Sequence, residues 1–276
     1  MSRFIAAVVQ MRSGTDPQAN IDAMETGVRQ AAAQGATFVQ TPEMTGMVQA
    51  RRSAFFDALK VEEDDPLVPR AAKLAKELGV HIHIGSTPVL ADDGRAANRA
   101  FLFAPDGEII ATYDKIHMFD VDLDNGESWR ESAVYNPGNY AVLAEMGDTK
   151  IGMGICYDCR FPSLSHQYAI GGAQVLAYPS CFTRQTGRAH WHTLLRARAI
   201  ETGSFVIAAA QGGDHEDGRE TYGHSLIIGP WGDVLAEVEG EEPGIAVAEI
   251  DTARSDEARA KIPNLKNDAA YRVIAP

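Results

Sequence analysis

Twice in this chain an Asp-Pro pair opens a helix-like stretch, a glycine closes it, and an apolar strand-like run follows. Asp is a preferred N-cap, Pro fits the first helical turn because the N–H it lacks would be unsatisfied there, and Gly takes the left-handed conformation that ends a helix. The first unit runs from a strand at Phe4 to Gln10, through a helix between Asp16-Pro17 and Gly35, to a strand at Thr37 to Thr41. The second has its helix between Asp65-Pro66 and Gly79, followed by a strand at Val80 to Gly85. Helices and strands alternating in this way restrict the chain to an α/β layer protein.

Antiparallel pairing is mixed in. Arg99 to Phe103 and Ile109 to Tyr113 flank the turn Pro105-Asp106-Gly107-Glu108, and Tyr140 to Met146 and Lys150 to Ile155 flank Gly147-Asp148, so each pair reads as a hairpin. Helices are expected at Pro162 to Ile170 and Ala189 to Thr202, and strands at Val175 to Tyr178, Phe205 to Ala210, Ser225 to Ile228 and Ile245 to Ile250. No linker or internal repeat divides the pattern, which predicts a single domain over residues 1–276.

Composition narrows the function classes. With 276 residues, 45% hydrophobic and 23% charged, the chain has enough apolar material for one large core. A net charge of -13 and the absence of any Lys/Arg-rich run exclude the usual footprint of a nucleic-acid binder. No apolar run approaches the roughly 20 residues of a membrane helix, and the first apolar segment is shorter than a secretory core, so a soluble protein is expected. Three cysteines, an odd and small number, argue against a disulfide scaffold and for a reducing compartment, the cytoplasm.

One of them, Cys156, follows the glycine-containing strand Ile151 to Ile155 and precedes Tyr157-Asp158-Cys159-Arg160-Phe161-Pro162 at a helix entry. A thiol on such an elbow projects from the sheet edge towards backbone N–H groups and the positive end of a helix dipole, which favour thiolate and can hold an oxyanion. A lone cysteine there would ordinarily be core filler. Two further strand-end residues change the weighting: Glu43 in Gln40-Thr41-Pro42-Glu43-Met44, and Lys115 in Tyr113-Asp114-Lys115-Ile116-His117. Each alone would pass for surface charge, but ligands of α/β sheets gather beyond strand carboxyl ends.

Pro42-Glu43, Tyr113-Asp114-Lys115-Ile116-His117 and Gly154-Ile155-Cys156-Tyr157-Asp158 resemble, in chain order, the Glu, Lys and Cys motifs of the nitrilase superfamily of carbon-nitrogen hydrolases. The resemblance continues through Arg160-Phe161-Pro162, Tyr178 to Thr183, Thr186-Gly187, Ala189-His190-Trp191 and Arg196 to Glu201, and so covers nearly the whole chain. It implies an αββα four-layer sandwich, assembled through its helical layer into homodimers or larger oligomers. It also implies a second glutamate, matched by Glu131 in Trp129-Arg130-Glu131-Ser132, with Glu127 the competing candidate by proximity.

The implied chemistry is a thiol amidase needing neither metal nor organic cofactor. Glu43 is the general base that takes the thiol proton, Cys156 attacks the amide carbonyl, and Lys115 with the Tyr157 N–H holds the oxyanion. Protonated Glu43 expels ammonia, the same residue activates the water that hydrolyses the thioester, and Glu131 orients that water or Lys115. Cys156-Tyr157-Asp158-x-Arg160-Phe161-Pro162 resembles the Nit branch, and Arg219-Glu220-Thr221-Tyr222-Gly223-His224-Ser225 resembles its deaminated glutathione amidases, with ω-amidases acting on α-ketoglutaramate and carbamoyl-amine hydrolases as alternatives. Arg160 is expected either to bind a substrate carboxylate or to pair with Asp158, and Phe182, Thr183 and Thr186 to line the pocket.

Other functions compete. Cys156-Tyr157-Asp158-Cys159 is a C-x-x-C, which invites a thiol redox reading, though relatives carry an apolar residue where Cys159 stands and packing is the role expected of it. His81-Ile82-His83 and His190-Trp191-His192 offer paired imidazoles with no third metal ligand nearby, and Gly152-x-Gly154 lacks the third glycine of a dinucleotide fingerprint. A catalytically silent binding module would not need Glu43, Lys115 and Cys156 intact.

Overall fold

The structure, a computed structural model, describes residues 2–123, 126 and 128–275. In chain order its first half contains β1 (Arg3–Gln10), α1 (Pro17–Ala33), β2 (Phe38–Gln40), α2 (Arg52–Ala58), α3 (Leu67–Leu78), β3 (His81–Leu90), β4 (Ala96–Phe103) and β5 (Ile109–Asp114). A ribbon of β6 (Asp120–Asp122) and β7 (Ser128–Arg130) and the short β8 (Tyr135–Asn136) lead to β9 (Val142–Met146) and β10 (Thr149–Met153). Then come α4 (Pro162–Ile170), β11 (Val175–Ala177), α5 (Arg184–Thr202), β12 (Phe205–Ala208), β13 (Gly212–Asp214) and β14 (Glu220–Tyr222). The last elements are β15 (Leu226–Ile228), β16 (Val234–Glu237), β17 (Gly244–Asp251) and α6 (Ala253–Lys261).

Two large sheets result, ordered β17-β1-β2-β3-β4-β5 and β9-β10-β11-β12-β15-β16. Their pairings run in the same sequence: antiparallel, two parallel, two antiparallel. The halves thus share one strand plan although no sequence repeat announces it. Side-chain alternation explains the layering, since successive residues of a strand face opposite sides. Ala6 and Val8 enter the core shared with the second sheet, whereas Ala7 and Val9 pack with Ile21, Met24 and Val28 of α1 and Leu74 of α3. On the far side, Leu164 and Tyr168 of α4 and Trp191 and Leu195 of α5 cover the second sheet. The four-layer αββα sandwich implied by the resemblance is the observed architecture.

Buried amides lock the two sheets together. Gln40 Oε1 accepts from the Ala209 N–H at 2.7 Å, and Gln10 Oε1 accepts from the Ser225 N–H at 2.9 Å. Most expected elements are present, with shifted ends. α5 begins at Arg184 rather than Ala189 because Thr183 caps it. β3 continues past Gly85, where a side chain would come within 2.2 Å of the Thr41 carbonyl oxygen, so β3 can lie close to the Glu43 loop only with glycine there.

Candidate active site

The second sheet delivers Cys156 at the end of β10. Its backbone has φ 49°, a left-handed conformation that L-residues adopt only at a cost of about 1–3 kcal/mol, sustained where surrounding structure fixes it. That fixing comes from Asp158, which is fully buried. Its Oδ2 accepts from the Ile155 N–H (2.9 Å) and the Tyr113 hydroxyl (2.6 Å), and its Oδ1 from the His117 N–H (3.0 Å), with His117 Nδ1 at 2.6 Å. One carboxylate therefore ties the Cys156 turn to the strand end that carries Lys115. Glycine at 154 is required as well, since a Cβ there would meet the Tyr178 ring at 2.5 Å.

The first sheet delivers the charged groups. Glu43 follows β2 and Lys115 follows β5, and they are 3% and 2% exposed. Lys115 Nζ donates to Glu43 Oε1 at 2.9 Å and to both oxygens of Glu131 at 2.9 and 2.8 Å. Glu43 Oε2 accepts from the Cys181 N–H at 2.8 Å, and Glu131 Oε2 from the Phe119 N–H at 2.6 Å. The Cys156 thiol completes the set, placed where the Glu43 carboxylate, the Lys115 ammonium and the Cys181 N–H all act on its titration. All four expected residues, Glu43, Lys115, Glu131 and Cys156, are thus brought together; Glu127 lies outside the described residues.

The cluster holds one more acid than base, and that decides its protonation. Burial works against the Lys115 ammonium, but the charges of Glu131 and Glu43 outweigh it and the amine is held charged. Glu131 is pushed above the usual carboxylate range by burial and by Glu43, against the pull of Lys115. Burial and the Glu43 charge likewise raise the Cys156 thiol well above its ordinary value, with Lys115 opposing. This corrects the expectation of a thiolate held at a helix start. Cys156 opens a 3-10 turn, Cys156–Arg160, and α4 begins only at Pro162. Burial and the Glu43 charge thus favour the neutral thiol at Cys156.

A cavity of about 470 Å³ opens over these residues, a size suited to a metabolite. Tyr157, Arg160, Phe182, Thr183 and Thr186 line it. The Tyr157 N–H sits in the first turn of the 3-10 segment, where intrahelical acceptors are lacking. Arg160 has no ion pair with Asp158; its Cζ lies 5.0 Å from the Phe182 ring centroid and its Nη1 3.2 Å from His190 Nδ1. The hydroxyls of Thr183 and Thr186 meet at 2.8 Å and serve the cap of α5. Sequence reasoning passed over Asn98, whose Nδ2 donates to Glu43 Oε1 at 2.9 Å and lies 3.3 Å from Glu131 Oε1. A single Asn in the apolar strand Ala96–Phe103 was the available signal. Asp158 and Arg219 stood in quoted motifs, but neither was given a place in the site, because their contacts are with residues distant in sequence.

The rival readings find different places. Cys159 is fully buried in the core, and burial pushes its thiol up to about 12, which removes the exposed, acidic thiol that exchange chemistry needs. His83 is buried and bonded through Nδ1 to Gln40 Nε2 at 3.0 Å. His192 meets not His190 but His224 and Glu237, so a third potential ligand is nearby, contrary to expectation, and the three donor atoms lie within 4.8 Å of one another. Both imidazoles already face Glu237 Oε1, at 3.1 and 2.7 Å, and the cluster satisfies itself without an ion.

Two packed sheets with helices outside, and a buried Cys, Glu and Lys at one end, define a class. Residues 5–260 match the family model Carbon-nitrogen hydrolase, and the chain belongs to that family. Within it, the chain is 37% identical over 275 residues to deaminated glutathione amidase of Synechocystis sp. (strain PCC 6803 / GT-S), covering 97% of this chain and 98% of that protein. It is 35% identical over 266 residues to the omega-amidase NIT2 of Danio rerio, covering 96% and 95%. The crystal structure of the C. elegans NitFhit protein superposes with a TM-score of 0.90 at 32% identity, covering 97% of this chain, which spans 65% of that one. The protein is an enzyme of the amidase kind. No helix among the described residues is long and apolar enough to cross a membrane.

Proposed function

We propose that this protein hydrolyses a small carboxylate-bearing amide, with deaminated glutathione the first choice, through a thioester on Cys156. The observation that carries the reading is the buried Glu43 carboxylate, hydrogen-bonded to Lys115, to Asn98 and to the Cys181 N–H at once and acting on the Cys156 thiol beside it. Glu43 takes the thiol proton as sulfur bonds to the carbonyl carbon, and Lys115 with the Tyr157 N–H receives the oxyanion. Collapse breaks the C–N bond, and Glu43 returns the proton to the leaving nitrogen. Water then attacks the thioester, Glu43 takes its proton, and the C–S bond breaks to restore the thiol. Ammonia leaves from a primary amide such as α-ketoglutaramate, whereas deaminated glutathione releases a peptide amine. Glu131 holds Lys115 in place.

One core shared by both sheets supports reading residues 1–276 as a single domain. Three free cysteines support a cytoplasmic location, and apolar residues exposed on the helical layer support a homo-oligomer. The test is turnover of deaminated glutathione, α-ketoglutaramate and a carbamoyl amine by wild type and by Cys156→Ala. Wild type is expected to act best on the first, and the variant to lose release of amine or ammonia while keeping its melting temperature. A wild type inactive on every member would overturn the reading.

A further inference from the structure

Five cations line the cavity: Arg52, Lys115, Arg130, Arg160 and Arg219. Lys115 is taken by two carboxylates, Arg130 grips Asp122 with both Nη2 contacts at 2.9 and 2.8 Å, and Arg52 is exposed against Phe56. Arg160 and Arg219 remain. Arg219 is held the more firmly of the two. It ends the turn between β13 and β14, where the His215 N–H donates to its carbonyl at 2.8 Å and His215 itself is pinned between Ser13 O and Thr221 Oγ1. Its guanidinium lies over the Trp129 ring, Cζ to centroid 5.0 Å, with Nε 3.0 Å from Asp217 Oδ2. The Arg219 side chain is 22% exposed and that of Asp217 1%. Asp217 thus faces the Nε side as an ion pair in which neither atom forms a hydrogen bond, and among the described residues no side chain or carbonyl hydrogen-bonds the two terminal nitrogens, which form the fork suited to a carboxylate.

The hairpin also fixes where that fork stands. Tyr222 N–H donates to Phe182 O at 3.1 Å, and Thr221 bridges to Thr183, so β14 is fastened to the loop whose Cys181 N–H holds Glu43. Arg160, by contrast, rises from the nucleophile's own turn. Glu43 is the group that hands a proton to the departing nitrogen, so a cation on the Glu43 side faces the amine half of a bound amide.

We propose that Arg219 binds a carboxylate on the amine half of the substrate, so that with Arg160 on the acyl half the cavity selects N-substituted amides carrying a carboxylate on each side of the scissile bond. This rests on the amidase reading above and narrows its substrate class. A primary amide, having no second carboxylate, leaves Arg219 unused.

The experiment measures binding by calorimetry in the Cys156→Ala protein, where turnover plays no part. The probes are glutarylglycine, with carboxylates on both halves, glutaramate, with the acyl one only, and acetylglycine, with the amine one only. Arg219→Met should weaken glutarylglycine and acetylglycine by about 10- to 100-fold, the worth of a charged hydrogen bond, and leave glutaramate unchanged. Arg160→Met should do the reverse with glutaramate, and Arg219→Lys should recover part of the loss. Melting temperatures check that each variant is folded; if Arg219→Met is not, Arg219→Lys against glutarylglycine and glutaramate decides, with a selective loss expected on the first. Equal weakening of both probes, no weakening of glutarylglycine, or no binding of it before substitution overturns the proposal. Loss of the amidase reading shows separately, as absent turnover by wild type with these binding differences intact.

Discussion

At the scale of the residue, the two thiols of the C-x-x-C are separated by environment rather than by chemistry. Cys156 faces a cavity and the Glu43 carboxylate, and Cys159 faces only core. Cys159→Ala is therefore expected to keep turnover within about twofold and to cost about 1 kcal/mol for the small void left behind. Alkaline stability provides a second readout. Burial raises Cys159 and Cys181 to about 12 from an ordinary 9.0, and burial with the Glu43 charge raises Cys156 well above that ordinary value. Between pH 9 and 10 the unfolded chain loses these protons while the folded chain keeps them, so stability falls as pH rises. The slope averages roughly 1 kcal/mol per pH unit for each thiol in this window and approaches about 1.4 above it. Urea denaturation across that window should show the slope reduced by one thiol's share in Cys159→Ala; an unchanged slope would mean that Cys159 is not held protonated by the fold.

At the scale of the element, the site depends on a joint between sheets. Asp158 belongs to the Cys156 turn yet accepts from Tyr113 and His117 at the end of β5, so its loss should loosen nucleophile and Lys115 together. Asp158→Ala strands a buried hydroxyl and the His117 donors, and is expected to cost about 3–5 kcal/mol in unfolding free energy and to lower kcat more than it raises KM. Urea unfolding and steady-state rates check this, and a loss below about 1 kcal/mol would show that the turn holds itself. Elements with strong punctuation were legible beforehand: α4, between Pro162 and Gly171, has the bounds its sequence predicts. The hairpin of β13 and β14 was not, because two three-residue strands among glycines and charges show no hydrophobic period and join neither large sheet. Arg219 was hidden for the same reason. Its run resembles a branch motif, but its place at the cavity was not legible there, because it arises from contacts of Thr221 and Tyr222 with Thr183 and Phe182, about forty residues away as a rough sequence separation. The motifs around Glu43, Lys115 and Cys156 were readable, but the raised thiol was not, since it follows from a carboxylate supplied by the other sheet.

At the scale of the whole molecule, the two sheets are each covered by helices on one face and by each other on the second, which leaves the helical layers to meet solvent or another copy. Ile200 on α5, Trp231 in the turn between β15 and β16, and Ile262 after α6 are 52%, 57% and 52% exposed. They adjoin: Gly232, next to Trp231, lies against the Ile200 side chain, and Lys261 Nζ sits 6.0 Å from the Trp231 ring. A large aromatic flanked by aliphatics on a surface is the composition of an interface centre, and a protein of net charge -13 gains little by exposing it. We expect wild type to run as a dimer or larger assembly in size-exclusion chromatography with light scattering. Trp231→Glu should weaken association by about 30-fold or more, equivalent to roughly 2 kcal/mol, and Ile200→Glu should act in the same direction. A monomeric wild type at micromolar concentration, or unchanged mass in both variants, would place the contact elsewhere or abolish it. Because none of these residues lines the cavity, catalytic activity per active site in the dissociated variants measures how far the site depends on its neighbour.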